Sequence, residues 1–196
     1  MKSIFEQGEF SQYRVTDLRE ARSSITESFI YGEKTPTVFL SHKHDDLDEL
    51  KDIIGFLQSK YKVRVYIDSR DPTMPAKTSG KTAENIKNRI KQCGKFILLA
   101  TNGAIESKWC NWELGFGDAH KYKDNIALFP IKPKGKYDYE YRGNEYMSIY
   151  PYIAFYNGYE TYRNGDSIAS GYYVCTNHDD NSLSIVPLST WLKKER

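Results

Sequence analysis

The chain has 196 residues, of which 39% are hydrophobic and 28% are charged, as in an ordinary globular domain. Its formal net charge of +2 is too small to predict a nucleic acid or a membrane surface as a partner. The three cysteines form no CxxC pair and no apolar run approaches about 20 residues, so we expect a cytoplasmic protein without disulfides, zinc or membrane spans.

The first predicted element is a helix over residues 15–29, in which apolar residues recur at helical spacing. Residues 32–36 contain a glycine and a proline, which end the helical pattern. We therefore predict an N-terminal helical extension over residues 1–34 and a domain over residues 35–196.

From residue 37 onward, short apolar strands alternate with amphipathic helices. The predicted strands are residues 37–41, 63–68, 95–100 and 125–131, and the predicted helices are residues 45–61, 82–92 and 107–122. Strands that are apolar on both faces and alternate with helices are typical of a parallel sheet covered on both sides. The pattern predicts a doubly wound α/β domain.

The closing segment, residues 134–196, holds most of the 16 tyrosines of the chain. We predict strands at residues 149–156 and 172–176 and a helix that begins near Pro187. The tyrosines could form a stacking or assembly surface, but tyrosines at strand spacing more often pack with the ring inward and the hydroxyl outward.

Ligands of an open parallel sheet bind beyond the carboxyl ends of its strands, where the strand order reverses. A 2-1-3-4-5 order of the predicted strands places this crevice between residues 41–46 and 101–107. The second loop leads into Ser-Lys-Trp-Cys-Asn-Trp-Glu-Leu, residues 107–114, in which Trp109 and Glu113 lie one helical turn apart. This spacing fits a functional carboxylate, but also a helix that is merely buried through its tryptophans.

Two histidines and two aspartates in the first loop, residues 42–46, suggest a metal site at first sight. Neighbouring residues point in different directions and the sequence shows no second ligand cluster, so we predict no metal. Asp45 or Asp46 as a helix cap is the simpler interpretation. A third interpretation places Ser41 and Lys43 beside the phosphates of an anionic substrate.

Together these motifs resemble a TIR (Toll/interleukin-1 receptor) domain over about residues 35–133. The resemblance rests on motifs that occur in the order and spacing of that family: Phe39-Leu40-Ser41, Tyr66-Ile67-Asp68, Gly80, residues 96–101 and Ser107-x-Trp109-Cys110-x-x-Glu113-Leu114. It implies a flavodoxin-like fold, with a central parallel sheet of about five strands flanked by helices.

Many bacterial and plant TIR proteins split NAD⁺ into nicotinamide and ADP-ribose products, so the resemblance implies an enzyme that uses NAD⁺ as substrate and holds no cofactor. Glu113 matches the catalytic glutamate of the family. The loop after the first strand helps to bind substrate, which implicates Ser41, His42 and Lys43, although His42-Lys43 replaces the common aromatic-Arg pair. Trp109 would wall the pocket or orient Glu113.

The layout also resembles the TIR subunit of the bacterial Thoeris antiphage system. That resemblance implies a homo-oligomer with TIR–TIR contacts, and a cyclic or conjugated ADP-ribose signal that activates a separate effector protein. The loop at residues 69–81 matches the BB loop of the family, which covers the site and takes part in assembly. A TIR scaffold without activity and a nucleotide sensor without turnover remain alternatives.

Overall fold

The structure, a computed structural model, describes residues 1–16, 35–67, 80–121 and 123–194. Its strands are β1 Phe5–Glu6, β2 Thr37–Ser41, β3 Arg64–Tyr66, β4 Lys95–Thr101, β5 Ile126–Lys132, β6 Tyr152–Tyr156, β7 Gly171–Asn177 and β8 Leu183–Pro187. Its α-helices are α1 Leu47–Tyr61, α2 Gly80–Gln92, α3 Asn102–Glu106, α4 Lys108–Lys121, α5 Asn144–Ile149 and α6 Leu188–Lys193.

The described strands form one sheet in the order β3-β2-β4-β5-β6-β7-β8, with β1 paired to β5 in addition. The strands from β3 to β6 run parallel, which confirms the predicted 2-1-3-4-5 order. β7 and β8 continue the sheet in antiparallel fashion. The structure is therefore an α/β domain with a flavodoxin-like parallel core and an antiparallel extension.

Helices pack on both faces of the sheet, which explains why the central strands are apolar throughout. One face buries residues of α2, α3 and α4, for example Ile86, Ala104 and Leu114. The opposite face buries residues of α1 and α6, for example Ile53 and Trp191. All seven residues of β4 are buried between these two layers.

Two predicted elements differ from the structure. The helix predicted over residues 107–122 is preceded by a separate short helix, α3, because Ser107 adopts an extended conformation between α3 and α4. The strand predicted from residue 149 begins only at Tyr152, after α5 and Pro151. A proline cannot donate a ladder hydrogen bond, so it separates the helix from the strand.

The described part of the N-terminal segment, residues 1–16, contributes to the same sheet. Phe5 pairs in parallel with Ile131 at the carboxyl end of β5, and Lys2 forms an antiparallel bridge with Phe155 of β6. This segment thus fills the gap where β5 and β6 diverge. The predicted boundary after residue 34 stays a prediction, and most of the predicted helix over residues 15–29 lies outside the described residues.

The N-terminal segment is also held against α1. Arg14 donates hydrogen bonds from Nε and Nη2 to the two carboxylate oxygens of Asp52, at 2.5 and 3.1 Å. Asp52 is buried, and such a paired arginine offsets the cost of burying its charge. The same helix approaches the N-terminal segment closely at Gly55, where an added Cβ atom would lie 1.8 Å from the carbonyl oxygen of Tyr13.

We expect Gly55→Ala to destabilise the protein by about 1–3 kcal/mol, because the added methyl group displaces the backbone at Tyr13. Gly115→Ala in α4 is the matched control, since nothing lies within 4 Å of its added Cβ. There, alanine should stabilise the helix by about 0.5–1 kcal/mol. Urea unfolding of both variants measures the difference, and equal stabilities would contradict the close approach of the two segments.

The tyrosines of the closing segment mostly pack as their strand spacing suggests. Tyr152, Tyr156 and Tyr173 are buried in the sheet. Tyr137 and Tyr139, which precede the closing strands, are exposed and stack on each other with ring centroids 5.4 Å apart. Within the described residues, no helix is both long enough and apolar enough to cross a bilayer.

Candidate functional site

A buried hydrogen bond joins the end of β2 to the middle of α4. The hydroxyl of Ser41, the last residue of β2, donates to Oε2 of Glu113 at 2.5 Å. Both side chains are fully buried. The fold thus brings together two predicted site residues that lie 72 positions apart in the chain.

The inward face of α4 explains why Glu113 points toward the sheet. The buried positions Cys110, Glu113, Leu114 and Gly117 follow the i, i+3, i+4, i+7 spacing of one helix face. Gly117 lets the helix approach closely, since an added Cβ there would lie 3.2 Å from the ring of Phe96. Glu113 is therefore a charged side chain whose neighbours on this helix face are apolar or small, and the next buried position of the face, Lys121, is the other charged one.

Trp109 lies on the neighbouring face of α4, where it begins a column of stacked rings. Its ring stacks on Trp112 with centroids 4.9 Å apart, and Trp112 stacks on Phe116. The ammonium group of Lys87 in α2 lies over the rings of Trp112 and Phe116. Trp109 is half-buried in this column, and its expected role beside Glu113 stays a prediction.

The loop after β2 carries the other predicted substrate-binding residues. His42 is almost fully buried, whereas the side chain of Lys43 is 41% exposed. The ammonium of Lys43 lies 3.3 Å from a carboxylate oxygen of Asp45. Its stem lies against Gly103 at the start of α3, where an added Cβ would approach Lys43 Cδ to 2.8 Å. Lys43 therefore reaches from the loop after β2 to the start of α3.

Asp46 and Thr101 form a second contact across the crevice that sequence reasoning did not identify. The Thr101 hydroxyl donates to Oδ2 of Asp46 at 2.6 Å and accepts from the amide of Ala104 at 3.0 Å. Asp46 occupies the N-cap position of α1, but its side chain makes no cap hydrogen bond. Asp46 thus stands at the predicted cap position, but its side chain does not cap the helix. Its carboxylate accepts the hydrogen bond of Thr101 instead.

Burial raises the pKa of Asp46, and the hydrogen bond from Thr101 and the charge of Lys43 only partly oppose this effect. A raised folded-state pKa means that the folded protein binds this proton more tightly than the unfolded chain does. Folding stability contributed by this group is therefore present below the unfolded pKa and is lost as the pH rises through the folded pKa.

We expect Asp46→Asn, which keeps an oxygen acceptor for Thr101, to raise the melting temperature at neutral pH by on the order of 1–2 °C. The difference should disappear below about pH 3.9, the ordinary pKa of an aspartate, where both side chains are neutral. Thermal unfolding monitored by circular dichroism across this pH range measures it. A variant that is less stable than the wild type at neutral pH would contradict the expected increase in melting temperature.

The described residues contain no cluster of three or more His, Cys, Asp or Glu side chains placed to hold a metal ion. Cys93, Cys110 and Cys175 are buried and form no disulfide bond with one another. In the described part of the chain, two cavities of about 460 and about 630 Å³ are lined by residues other than Ser41 and Glu113. The candidate site is therefore the buried Ser41–Glu113 pair with the two loops above it.

The fold agrees with a sequence match to the TIR domain family over residues 38–165, more than half of the chain. The chain belongs to the TIR domain family. It is similar to a protein of Bacillus cereus (strain MSX-D12) that is provisionally named 3' cyclic ADP-D-ribose synthase ThsB', with 29% identity over 157 residues, 78% of this chain and 77% of the relative.

A second relative, from Cytobacillus dafuensis, is provisionally named cyclic ADP-D-ribose synthase TIR2. The two sequences are 27% identical over 111 residues, which cover 55% of this chain. The match spans only 29% of that longer relative, so the similarity concerns one part of it.

Proposed function

We propose that this protein cleaves the bond between nicotinamide and ribose in NAD⁺ and releases an ADP-ribose-derived signal, cyclic or conjugated. The observation that carries the proposal is the buried Ser41–Glu113 hydrogen bond below the crevice where the strand order reverses. The synthase names of the two relatives support it.

The chemistry needs one carboxylate rather than the pair that ordinary glycosidases use. Glycosidases protonate an alkoxide leaving group with a second carboxyl group. In NAD⁺ the electron pair of the breaking bond returns to the pyridinium nitrogen, so nicotinamide leaves as a neutral molecule without a proton. The remaining task is to stabilise the positive charge that develops on the ribose, which a fixed carboxylate performs. We assign this task to Glu113.

The other site residues would bind and orient the substrate. Lys43, whose side chain is partly exposed, would contact the phosphates. Ser41 would hold the carboxylate of Glu113 in place. His42, the next residue of the loop after β2, would help to bind the substrate, and Trp109 would form a wall of the pocket. The nucleophile that captures the ribosyl cation then determines the product: water gives ADP-ribose, an internal hydroxyl or adenine nitrogen gives a cyclic product, and another molecule gives a conjugate.

The burial of Glu113 bears on how such an activity is controlled. Its side chain has no solvent-exposed surface, so a substrate reaches the carboxylate only after the surrounding structure rearranges. This supports an enzyme that is silent until a trigger or self-association opens the site. We include in the proposal TIR–TIR contacts that involve the loop at residues 69–81, and a separate effector protein that responds to the product, in antiphage defence in the cytoplasm.

Incubation of the purified protein with NAD⁺ at increasing protein concentration tests the proposal. We expect nicotinamide to appear with a specific rate that rises with concentration, together with an ADP-ribose-derived product, both measured by liquid chromatography and mass spectrometry. Saturable NAD⁺ binding without nicotinamide release in assembled protein would instead indicate a sensor. Assembly with neither binding nor release would indicate a scaffold.

A further inference from the structure

β8 is the last strand of the described sheet, and one of its long edges faces no other strand. It follows β7 through a turn in which the Asn181 amide donates to the His178 carbonyl and Asn181 has a positive φ of 60°. A three-residue loop that ends in a left-handed residue is a common hairpin connection. The turn fixes which backbone groups of β8 point toward β7.

The outward groups follow from the alternation of an antiparallel ladder. The His178 amide donates to the Ser182 carbonyl at 2.9 Å, so residues 178 and 182 form a hydrogen-bonded pair. Every second pair is of this kind, which places the amides of Ser184 and Val186 toward β7. The amides and carbonyls of Leu183 and Ile185 therefore point away from the sheet.

This edge lacks the features that normally protect an edge strand. Proteins block such edges with charged side chains, bulges or an interior proline. Residues 181–192 contain no ionisable side chain, and Pro187 stands only at the end of β8. Leu183 and Val186 remain 41% and 38% exposed on the two faces of the strand. An uncharged, apolar open edge favours pairing with another strand.

We infer that β8 pairs with β8 of a second copy of this chain, in antiparallel fashion across a two-fold axis at Ser184. In this register Leu183 of each copy lies opposite Ile185 of the other. All four outward peptide groups then exchange hydrogen bonds, giving four bonds between the subunits. The strand is thus complementary to itself, as a two-fold interface requires.

Side chains and charges agree with a second copy as the occupant. The exposed side chain of Leu183 is covered by Ile185 of the other copy, an apolar cross-strand pair. A cavity of about 630 Å³ lies between Leu183 and Ile185 on one side and residues 161–164 on the other, and leaves room beside this face of the strand. The same register brings the acidic turn at Asp179 and Asp180 of each copy toward α6 of the other, whose exposed end carries Lys193 and Lys194.

The proposed interface is separate from the candidate active site. β8 lies four strands from β4 in the sheet, about 19 Å at the usual strand spacing. The inference shares with the proposed function only the expectation of self-association, and it can fail while NAD⁺ cleavage stands. It is therefore tested without NAD⁺.

Sedimentation velocity of the full chain from about 1 to about 100 μM measures the assembly. We expect a concentration-dependent shift from 22.8 kDa to about twice that mass. Leu183→Lys should raise the dimer dissociation constant at least about tenfold, because it places a charge on the edge. Tyr139→Lys is the matched control: it adds the same charge at a 79% exposed aromatic residue away from β8 and should leave the dimer unchanged.

Hydrogen exchange of the wild-type protein provides a test that does not depend on the folding of a variant. The amides of Leu183 and Ile185 should become protected as the concentration rises, whereas those of Ser184 and Val186 should be protected throughout. A wild-type monomer at the highest concentration overturns the inference, and leaves the edge to another partner such as an extended peptide. So does a dimer in which the Leu183 and Ile185 amides stay unprotected, or one that Leu183→Lys does not weaken.

Discussion

Glu113→Gln should lower the rate of nicotinamide release from NAD⁺ by about 100-fold or more. Glutamine keeps the shape of the side chain and an oxygen that can accept the hydrogen bond of Ser41, but it removes the negative charge that stabilises the ribosyl cation. Removal of one preorganised electrostatic contact to a transition state typically costs about 10²–10³ in rate. Release of nicotinamide under conditions that assemble the protein is the measurement.

Glu106→Gln is the matched control for this variant. Glu106 is an exposed glutamate of the adjacent helix α3 and forms an ion pair with Arg142 at the surface. Exposed pairs of this kind contribute little to stability, so this variant should cleave NAD⁺ like the wild type. Because Glu113→Gln removes a buried charge rather than stranding one, it should remain folded by circular dichroism. A folded, assembled Glu113→Gln protein with wild-type activity would disprove the catalytic assignment.

Ser41→Ala should lower both activity and stability, because it removes the hydroxyl that donates to the Glu113 carboxylate. Loss of a hydrogen bond to a buried charged group costs about 1–3 kcal/mol of folding stability. We expect the rate of NAD⁺ cleavage to fall by about tenfold, since the carboxylate is no longer held in one orientation. Urea unfolding and nicotinamide release measure the two effects separately.

Two comparisons distinguish a positioning role of Ser41 from a purely structural one. Ser107→Ala removes the hydroxyl that accepts from the Cys110 amide at the start of α4, and should cost about 1 kcal/mol of stability with little change in rate. In the Glu113→Gln background, Ser41→Ala should cause little further loss of activity, because the two residues act as one unit. Independent, multiplicative effects of the two substitutions would contradict this coupling.

The strands and helices of the parallel core were predictable because their signals are local. β2 has the predicted bounds, Thr37–Ser41, since a short apolar run followed by a polar loop defines a buried strand. The orientation of α4 was harder to predict from the sequence. The spacing in residues 107–114 places Glu113 near Trp109, but whether that face looks toward the sheet depends on how the helix packs. The family resemblance, rather than periodicity, led to Glu113.

Contacts between distant segments were not predictable in the same way. The hydrogen bond between Asp46 and Thr101 joins two loops 55 residues apart, and each residue alone fits a capping role. The insertion of β1 between β5 and β6 likewise depends on the divergence of two strands that lie more than a hundred residues further along the chain. A two-residue strand has too few residues to show a periodic pattern.

By itself, the sequence determined the alternating α/β order, the TIR resemblance and the candidacy of Glu113, since each depends on residue types within one or two neighbouring elements. The tertiary structure alone decided that Ser41 is the hydrogen-bond donor to Glu113, that this pair is buried, and that the last strand presents an open edge. The physical reason is that these features depend on strand register and helix docking. Both are set by packing between segments distant in the chain, which local periodicity does not encode.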